Sequence, residues 1–291
     1  MRAAFTIFRR SIMDYVHRRG IVDSPFVTES ALEEAWNVRG GWIEHLWRTA
    51  AENWLAIDVD GRPIGWAMSI ERGGLLELSH FFVDPDTQSK GTGRALLEHA
   101  FPLGRGTHRA IVATEDPRAL SLYLRFGVRY VTTVADFEGP PRPVSVETDL
   151  AFERLDASPE SIDLIAAVEA GLLGHRREID TRFLFTQRPA WLARRGSAVA
   201  GFAFGARDEL TGPMGVLDPA DMSALLAHVE SEAAAAGAGN IYFSSPLVND
   251  VAVRHLIARG FRIDPFLVSV LADDTSMHLD RWIHTGLSYI L

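Results

Sequence analysis

Two distant stretches of the chain read almost alike: W-L-A-I-D-V-D-G-R-P-I-G-W-A from Trp54 and W-L-A-R-R-G-S-A-V-A-G-F-A from Trp191. Two further matches follow in the same order. Val83-Asp84-Pro85 is echoed by Leu217-Asp218-Pro219, and D-P-R-A-L-S-L-Y-L-R-F-G-V from Asp116 by N-D-V-A-V-R-H-L-I-A-R-G-F from Asn249, with Gly127 and Gly260 at the same offset. Matches in a conserved order mark an internal repeat, which restricts the fold more than any single periodicity does. A chain of 291 residues also exceeds the usual single-domain size, so two units of roughly 140 residues each are expected. E-G-P-P-R-P at residues 138–143 suits neither a helix nor a central strand and reads as a linker. The expected division is therefore one domain at residues 1–140 and another at 145–291.

Within the first repeat, strand and helix signals alternate, which indicates an α/β fold. Residues 3–9 read as a strand, and 12–18 and 41–53 as helices. Residues 54–59 and 64–70 flank Asp60-Gly61, a strong hairpin signal. Residues 75–83 follow as a strand and 91–101 as a helix, with Leu96 and Leu97 on one face with Ala100 and Phe101. A strand at 109–114, a helix at 117–126 and a strand at 128–137 complete the unit.

The formal net charge of −9 argues against nucleic acid or an anionic membrane as a partner and mildly favours cationic ones such as amines. Without any cysteine, the chain has no disulfide, no thiolate metal site and no Cys nucleophile. Charges in M-R-A-A-F-T-I-F-R-R lie too close together for a signal-peptide apolar region, and no segment approaches a membrane-spanning run. A cytoplasmic protein is the expectation, and a homodimer is left open.

The two repeats part company in one place. After Asp84-Pro85 the first carries D-T-Q-S-K-G-T-G-R-A-L-L, whereas after Asp218-Pro219 the second carries A-D-M-S-A-L-L, shorter by five residues. What the second lacks is a glycine turn at the head of a helix, where free N–H groups and the positive pole of the helix dipole make an anion site. The turn is not a dinucleotide fingerprint, because Leu96 stands at the third glycine position and a proline separates the turn from its strand. It is not a P-loop, because no Gly-Lys-Ser/Thr occurs, and H-E-x-x-H zinc signatures are absent as well.

F-F-V-D-P-D-T-Q-S-K-G-T-G-R-A-L-L (81–97) and A-L-S-L-Y-L-R-F-G (119–127) together resemble the GNAT superfamily of acyl-CoA-dependent N-acetyltransferases. The resemblance covers the first half and continues, weakened, through the second. It implies two tandem GNAT-like domains, each a mixed, mostly antiparallel twisted sheet flanked by helices, with a degenerate C-terminal half. Leu256 stands in that half where Tyr123 stands in the first. The implied activity is acetyl transfer from acetyl-CoA to a primary amine on a small molecule or peptide, by direct transfer in a ternary complex. A non-catalytic acyl-CoA-binding or interaction protein is the alternative.

The resemblance also assigns residues. The coenzyme A pyrophosphate is expected on the turn Gln88, Ser89, Lys90, Gly91, Thr92, Gly93 and Arg94, and the pantetheine arm on the backbone of Phe82 and Val83. Tyr123 matches the family's general acid, a role open to a phenol with an ordinary pKa near ~10. Glu77, eleven residues before Gln88, is the expected base. His80 is an alternative on the opposite strand face, and Glu115 and Asp116 are further choices. Asp116 is also an expected contact of the cofactor arm, heading its helix where the family commonly has Asn; it caps equally well but cannot donate a hydrogen bond when ionised. Trp36, Trp42 and Trp47 fall in the segment that walls the acceptor in this family, where they would otherwise serve as core packing. No metal is expected.

Overall fold

The computed structural model describes residues 1–88, 91–207 and 209–286. The chain divides into two compact units, Met1–Tyr130 with Leu271–Asp273, and Val131–Val270 with the residues from Asp274 on. The division thus falls ahead of the proline-rich stretch at 140–143. The first unit runs α1 (Arg2–Arg18), α2 (Glu29–Arg48), β1 (Ala50–Ile57), β2 (Pro63–Arg72), β3 (Leu75–Val83), α3 (Thr92–Ala100), β4 (His108–Thr114) and α4 (Pro117–Arg125). After β5 (Arg129–Gly139), the second contains β6 (Ala151–Leu155), α5 (Pro159–Leu173), α6 (Glu178–Gln187), β7 (Ala190–Arg195), β8 (Ala198–Phe204) and β9 (Met214–Val216). It continues through α7 (Met222–Ala235), β10 (Ile241–Pro246), α8 (Asp250–Arg259), β11 (Arg262–Ile263), β12 (Val268–Ala272) and β13 (Trp282–Ile283). Among the described residues no helix is long and apolar enough to cross a membrane.

Both units repeat one order: two helices, three strands, a short 3₁₀ turn, a helix, a strand and a helix. In the first, β1, β2 and β3 pair antiparallel and β4 joins β3 in parallel. In the second, β6 to β9 and β13 form an antiparallel sheet in the order β13-β9-β8-β7-β6, and β10 and β11 pair antiparallel with β5. The units differ after the 3₁₀ turn. Pro219–Asp221 runs directly into α7, whereas Pro85–Thr87 is separated from α3 by the glycine turn.

Residues 3–9, expected as a strand, lie inside α1. Thr6 between Phe5 and Ile7 imitates strand alternation. The buried set, however, is Ala4, Phe5, Ile7 and Phe8, and then Tyr15 and Val16, which is the spacing of one helical face. The helix expected at 41–53 starts earlier, at Glu29 behind the Thr28 cap, and stops at Arg48 so that β1 can begin. Trp36, Trp42 and Trp47 all sit on α2. Trp36 packs edge-on against Phe5 of α1 at 5.0 Å, Trp42 is buried, and Trp47 meets Trp66 of β2 at 5.8 Å. These contacts are the packing alternative.

The β2–β3 ladder contains a bulge. Ser69 pairs with Leu78 but Met68 pairs with His80, so Ser79 is an extra residue on β3. An inserted residue reverses the alternation beyond it. Ile70, Met68 and Trp66, on one face of β2, pair with Glu77, His80 and Phe82 respectively. Glu77 and His80 therefore share a face, contrary to the uninterrupted alternation of the sequence reading. His80 is enclosed by Trp66 at 4.6 Å, Phe8 at 5.7 Å and Phe82 at 6.2 Å.

The core of the second unit contains a fully buried ion pair, Arg177 Nε to Glu169 Oε1 at 2.8 Å, with the guanidinium 5.1 Å from the Trp282 ring. The other Glu169 oxygen has no hydrogen-bond partner, and burial pushes the carboxyl up although Arg177 opposes this. Breaking such a pair leaves one charge stranded. Glu169→Ala is expected to cost about 3–5 kcal/mol in urea unfolding, and the double variant Glu169→Leu/Arg177→Met less than either single change. Equal costs for single and double variants would count against this.

Acid should weaken the fold through two histidines. Burial lowers His80 from 6.5 to about 3, and burial with the nearby Arg177 charge lowers His284 to about 3. Between these values the unfolded chain binds protons that the native state refuses. Stability is therefore full above about pH 6.5 and falls as pH drops toward 3, by ~1.4 kcal/mol per pH unit for each histidine. His80→Phe should flatten the dependence of unfolding free energy on pH between 6 and 4; an unchanged slope would assign it to other groups.

Candidate active site

β3 and β4 pair only from Leu75↔His108 to Leu78↔Ile111, although β3 runs on to Val83 and β4 to Thr114. Beyond Leu78 the two parallel strands part, and the parting leaves one edge of β3 without a strand neighbour. Asp84 N–H donates to Ile64 C=O on the β2 side at 2.9 Å. By alternation the backbone groups of Phe82 also face β2, and those of Phe81 and Val83 face the opening. The expected pair Phe82 and Val83 is thus split between the two edges.

A cavity of about 310 Å³ occupies this opening. Among the expected site residues, Phe82, Val83, Gln88, Gly91, Thr92, Gly93, Arg94, Asp116 and Tyr123 line it. Glu77 does not. It is buried on β3, five residues before Phe82, roughly 16 Å along the strand. His80 is buried among aromatic rings and is not in the lining either. Ser89 and Lys90 lie outside the described residues.

The two turn glycines are required for different reasons. Gly91 caps α3 with φ +88°, a left-handed backbone, and a Cβ there would meet no atom within 4 Å, so the space beside it is open. Gly93 is a matter of proximity, because a Cβ would come within 3.2 Å of the Phe81 ring. The first intrahelical bond runs from Ala95 N–H to Gly91 C=O at 3.1 Å. The amides of Thr92, Gly93 and Arg94 precede it and have no partner within the helix. An open space beside free amides at the positive pole of a nine-residue helix suits a phosphate group.

α1 supplies the wall that the sequence reading missed. Ser11, Ile12, Tyr15 and Arg18 line the cavity. Ser11, Tyr15 and Arg18 follow an i, i+4, i+7 stripe, a signal hidden once the start of this helix is read as a strand. Ser11 Oγ donates to Val83 C=O at 3.1 Å, and Gln88 Nε2 donates to the same oxygen at 3.0 Å. Arg10 pairs with Asp84 and with Asp86. Arg18 Nη2 reaches Asp116 at 3.0 Å. The helix therefore ties to the end of β3 and to the head of α4, on both sides of the parting.

Asp116 caps α4 by accepting Arg118 N–H at 2.9 Å, and its carboxylate also takes the Arg118 side chain at 2.8 Å. Burial works to raise its pKa, but the hydrogen bonds from Arg118 and Arg18 outweigh that and hold the carboxyl well below the usual range. Its charge is thus answered by two guanidinium groups. Tyr123 is 4 % exposed, meets Phe81 edge-on at 5.8 Å, and lines the cavity. Burial, and secondarily the Asp116 charge, pushes its phenol well above 10, so it keeps its proton at any working pH. Tyr15 is likewise raised, mainly by burial.

The Acetyltransferase (GNAT) family profile matches residues 23–128, which contain the parting strands, the glycine turn and α4. An uncharacterized N-acetyltransferase from Methanocaldococcus jannaschii is 28% identical over 97 residues, 30% of this chain and 43% of that protein. The chain thus spans less than half the length of this curated relative. Among solved structures, a candidate acetyltransferase from Pyrococcus horikoshii aligns with TM-score 0.67 at 15% identity, covering 96% of this chain and 88% of that one. A GCN5-related N-acetyltransferase from Sphaerobacter thermophilus aligns with TM-score 0.59 at 16% identity, covering 94% and 93%. At these identities the structures speak to the fold alone. Together with the fold, the profile match on the strands, turn and helix that border the cavity leads to one assignment: residues 23–128 match the Acetyltransferase (GNAT) family.

Proposed function

We propose that the first unit transfers an acetyl group from acetyl-CoA to a primary amine by direct attack in a ternary complex. The observation that carries this reading is the cavity at the parting of β3 and β4, which has the glycine turn at one end and Tyr123 in its wall. The amides of Thr92, Gly93 and Arg94 would hold the donor's pyrophosphate. The open edge of β3 at Phe81 and Val83 would align its pantetheine arm. The donor supplies an activated acetyl carbonyl. The acceptor nitrogen bonds to that carbon, the carbon–sulfur bond breaks, and the sulfur takes its proton from Tyr123. A phenol with a raised pKa acts here by position, holding a proton where negative charge develops.

The acceptor nitrogen must also lose a proton. Glu77 enters this reading as a base working through water, since it stands outside the cavity lining. We read the second unit as a degenerate copy. The glycine turn is missing there, and Leu256, 1 % exposed in that unit's core, replaces the tyrosine.

Calorimetric titration with acetyl-CoA should give one site per chain, abolished by Gly91→Glu. Tyr123→Phe should leave that affinity within about twofold and lower amine-dependent thiol release by about 100-fold or more. Unaltered turnover would remove Tyr123 from the chemistry. Binding without turnover in the parent protein would favour an acyl-CoA-binding role, and no binding would remove both.

A further inference from the structure

In the first unit the parting of β3 and β4 is an open cavity. By element order their counterparts in the second unit are β9, which precedes the 3₁₀ turn, and β10, which follows α7. These two strands belong to different sheets, and β13 lies between them. Trp282 and Ile283 pair antiparallel with Gly215 and Met214 of β9. On the other side His284 bridges to Ser244 of β10, its N–H donating to the Ser244 C=O at 2.9 Å. By alternation Ile283 turns its backbone groups to β9, whereas Trp282 and His284 turn theirs to β10. The place that is open in the first unit is taken here by a strand of the chain itself.

What holds this strand is directed at its main chain. Asn249, fully buried at the head of α8, accepts the Ala252 N–H as a helix cap at 3.1 Å. Its side-chain amide donates to the Trp282 C=O at 3.2 Å. Arg188, also buried, donates to the Thr285 C=O at 3.3 Å while bonding the carbonyls of Thr211 and Gly212. Gly212 has φ +79°, and a Cβ there would overlap the His284 carbonyl, so glycine lets the two backbones come close. A strand edge, two side chains and a glycine thus read amide groups rather than a particular sequence, which is the chemistry of strand addition. Asp116, matched with Asn249 in the repeat, has no amide to offer and spends its carboxylate on Arg18 and Arg118.

We propose that the parting of β9 and β10 is a binding site for an extended amide chain, and that the protein fills it with its own residues 282–285. The ligand class is a peptide strand. The site is closed to acyl-CoA because β13 already takes the β9 edge that a pantetheine arm, itself an extended chain with amides, would need. Only that last comparison rests on the donor reading above. The second unit is then a copy whose slot has a different occupant, beyond having lost its glycine turn.

Backbone amide exchange on the full chain tests this, read at Ile283 and His284 against reference amides in β8 and α8. In the parent, saturating acetyl-CoA should speed neither Ile283 nor His284. Asn249→Ser keeps a helix cap but is too short to reach Trp282, and should speed both amides by about tenfold relative to the references. Ile283→Pro removes the N–H that faces β9. A synthetic peptide D-R-W-I-H-T, matching residues 280–285, should bind that variant saturably and the parent not at all. Acceleration of Ile283 and His284 by acetyl-CoA overturns the proposal, as does a parent that binds the peptide or a folded Ile283→Pro that does not. If Ile283→Pro fails to fold, Asn249→Ser decides alone: uniform acceleration across the second unit, or none at β13, overturns the proposal. If acetyl-CoA does not bind at all, the donor reading fails, and the variant and peptide measurements still decide the cleft.

Discussion

The proposed site depends on the point at which two parallel strands stop pairing. Past Leu78↔Ile111 the β3–β4 ladder ends, and each strand runs on with one edge bare. Bare backbone in a partly buried place must find partners elsewhere. α1 and the turn before α3 provide them: Ser11 of α1 and Gln88 of the turn share the Val83 carbonyl, and Tyr15 of α1 bonds to the Glu115 backbone. The opening is thus held by specific bonds rather than left as a packing defect. That is why one helix contributes four residues to the cavity wall and also makes three separate ion-pair contacts, to Asp84, Asp86 and Asp116.

Much of this was legible in the sequence, for identifiable reasons. β3 matches its expected range because L-L-E-L-S-H-F-F-V is apolar, bounded by glycines before and by Asp-Pro after. α3 and α4 were marked by the glycine turn and the Asp-Pro cap. α1 was misread because a helix with Thr6 between two large apolar residues imitates a strand over a short window. Only the later partners Tyr15 and Val16 reveal the longer period. The bulge at Ser79 had no local signal at all, since nothing in L-S-H says which residue is extra; the register comes from β2. That single inserted residue decides whether Glu77 and His80 share a face, so reasoning about the base from alternation could not have succeeded.

The aspartate at the head of α4 shows how one departure from a family pattern is accommodated. A carboxylate beside an anionic ligand would be unfavourable if left bare. Arg18 from α1 and Arg118 from α4 both bind Asp116, so the site presents a neutralised cluster, and the cluster joins the two helices across the cavity. The remaining negative field contributes, after burial, to keeping Tyr123 protonated. A substitution that looks adverse in a list of motif positions is thereby tied to the helix that walls the site, and α1 and Asp116 are best understood as one device.

The comparison between the two units isolates what a site adds to a scaffold. Element order is shared, and at the matched position on the last helix both Tyr123 and Leu256 are buried in their unit's core. Leu256 is surrounded by apolar side chains, whereas Tyr123 has core on one side of its ring and cavity on the other. A hydroxyl costs free energy in a closed core but not at the wall of an opening. Tyrosine at this position is therefore tolerable only where the strands part and the glycine turn leaves room, so the tyrosine and the turn are expected to be kept or lost together. The second unit, with neither, fits that coupling: Leu256 packs into an apolar core cluster.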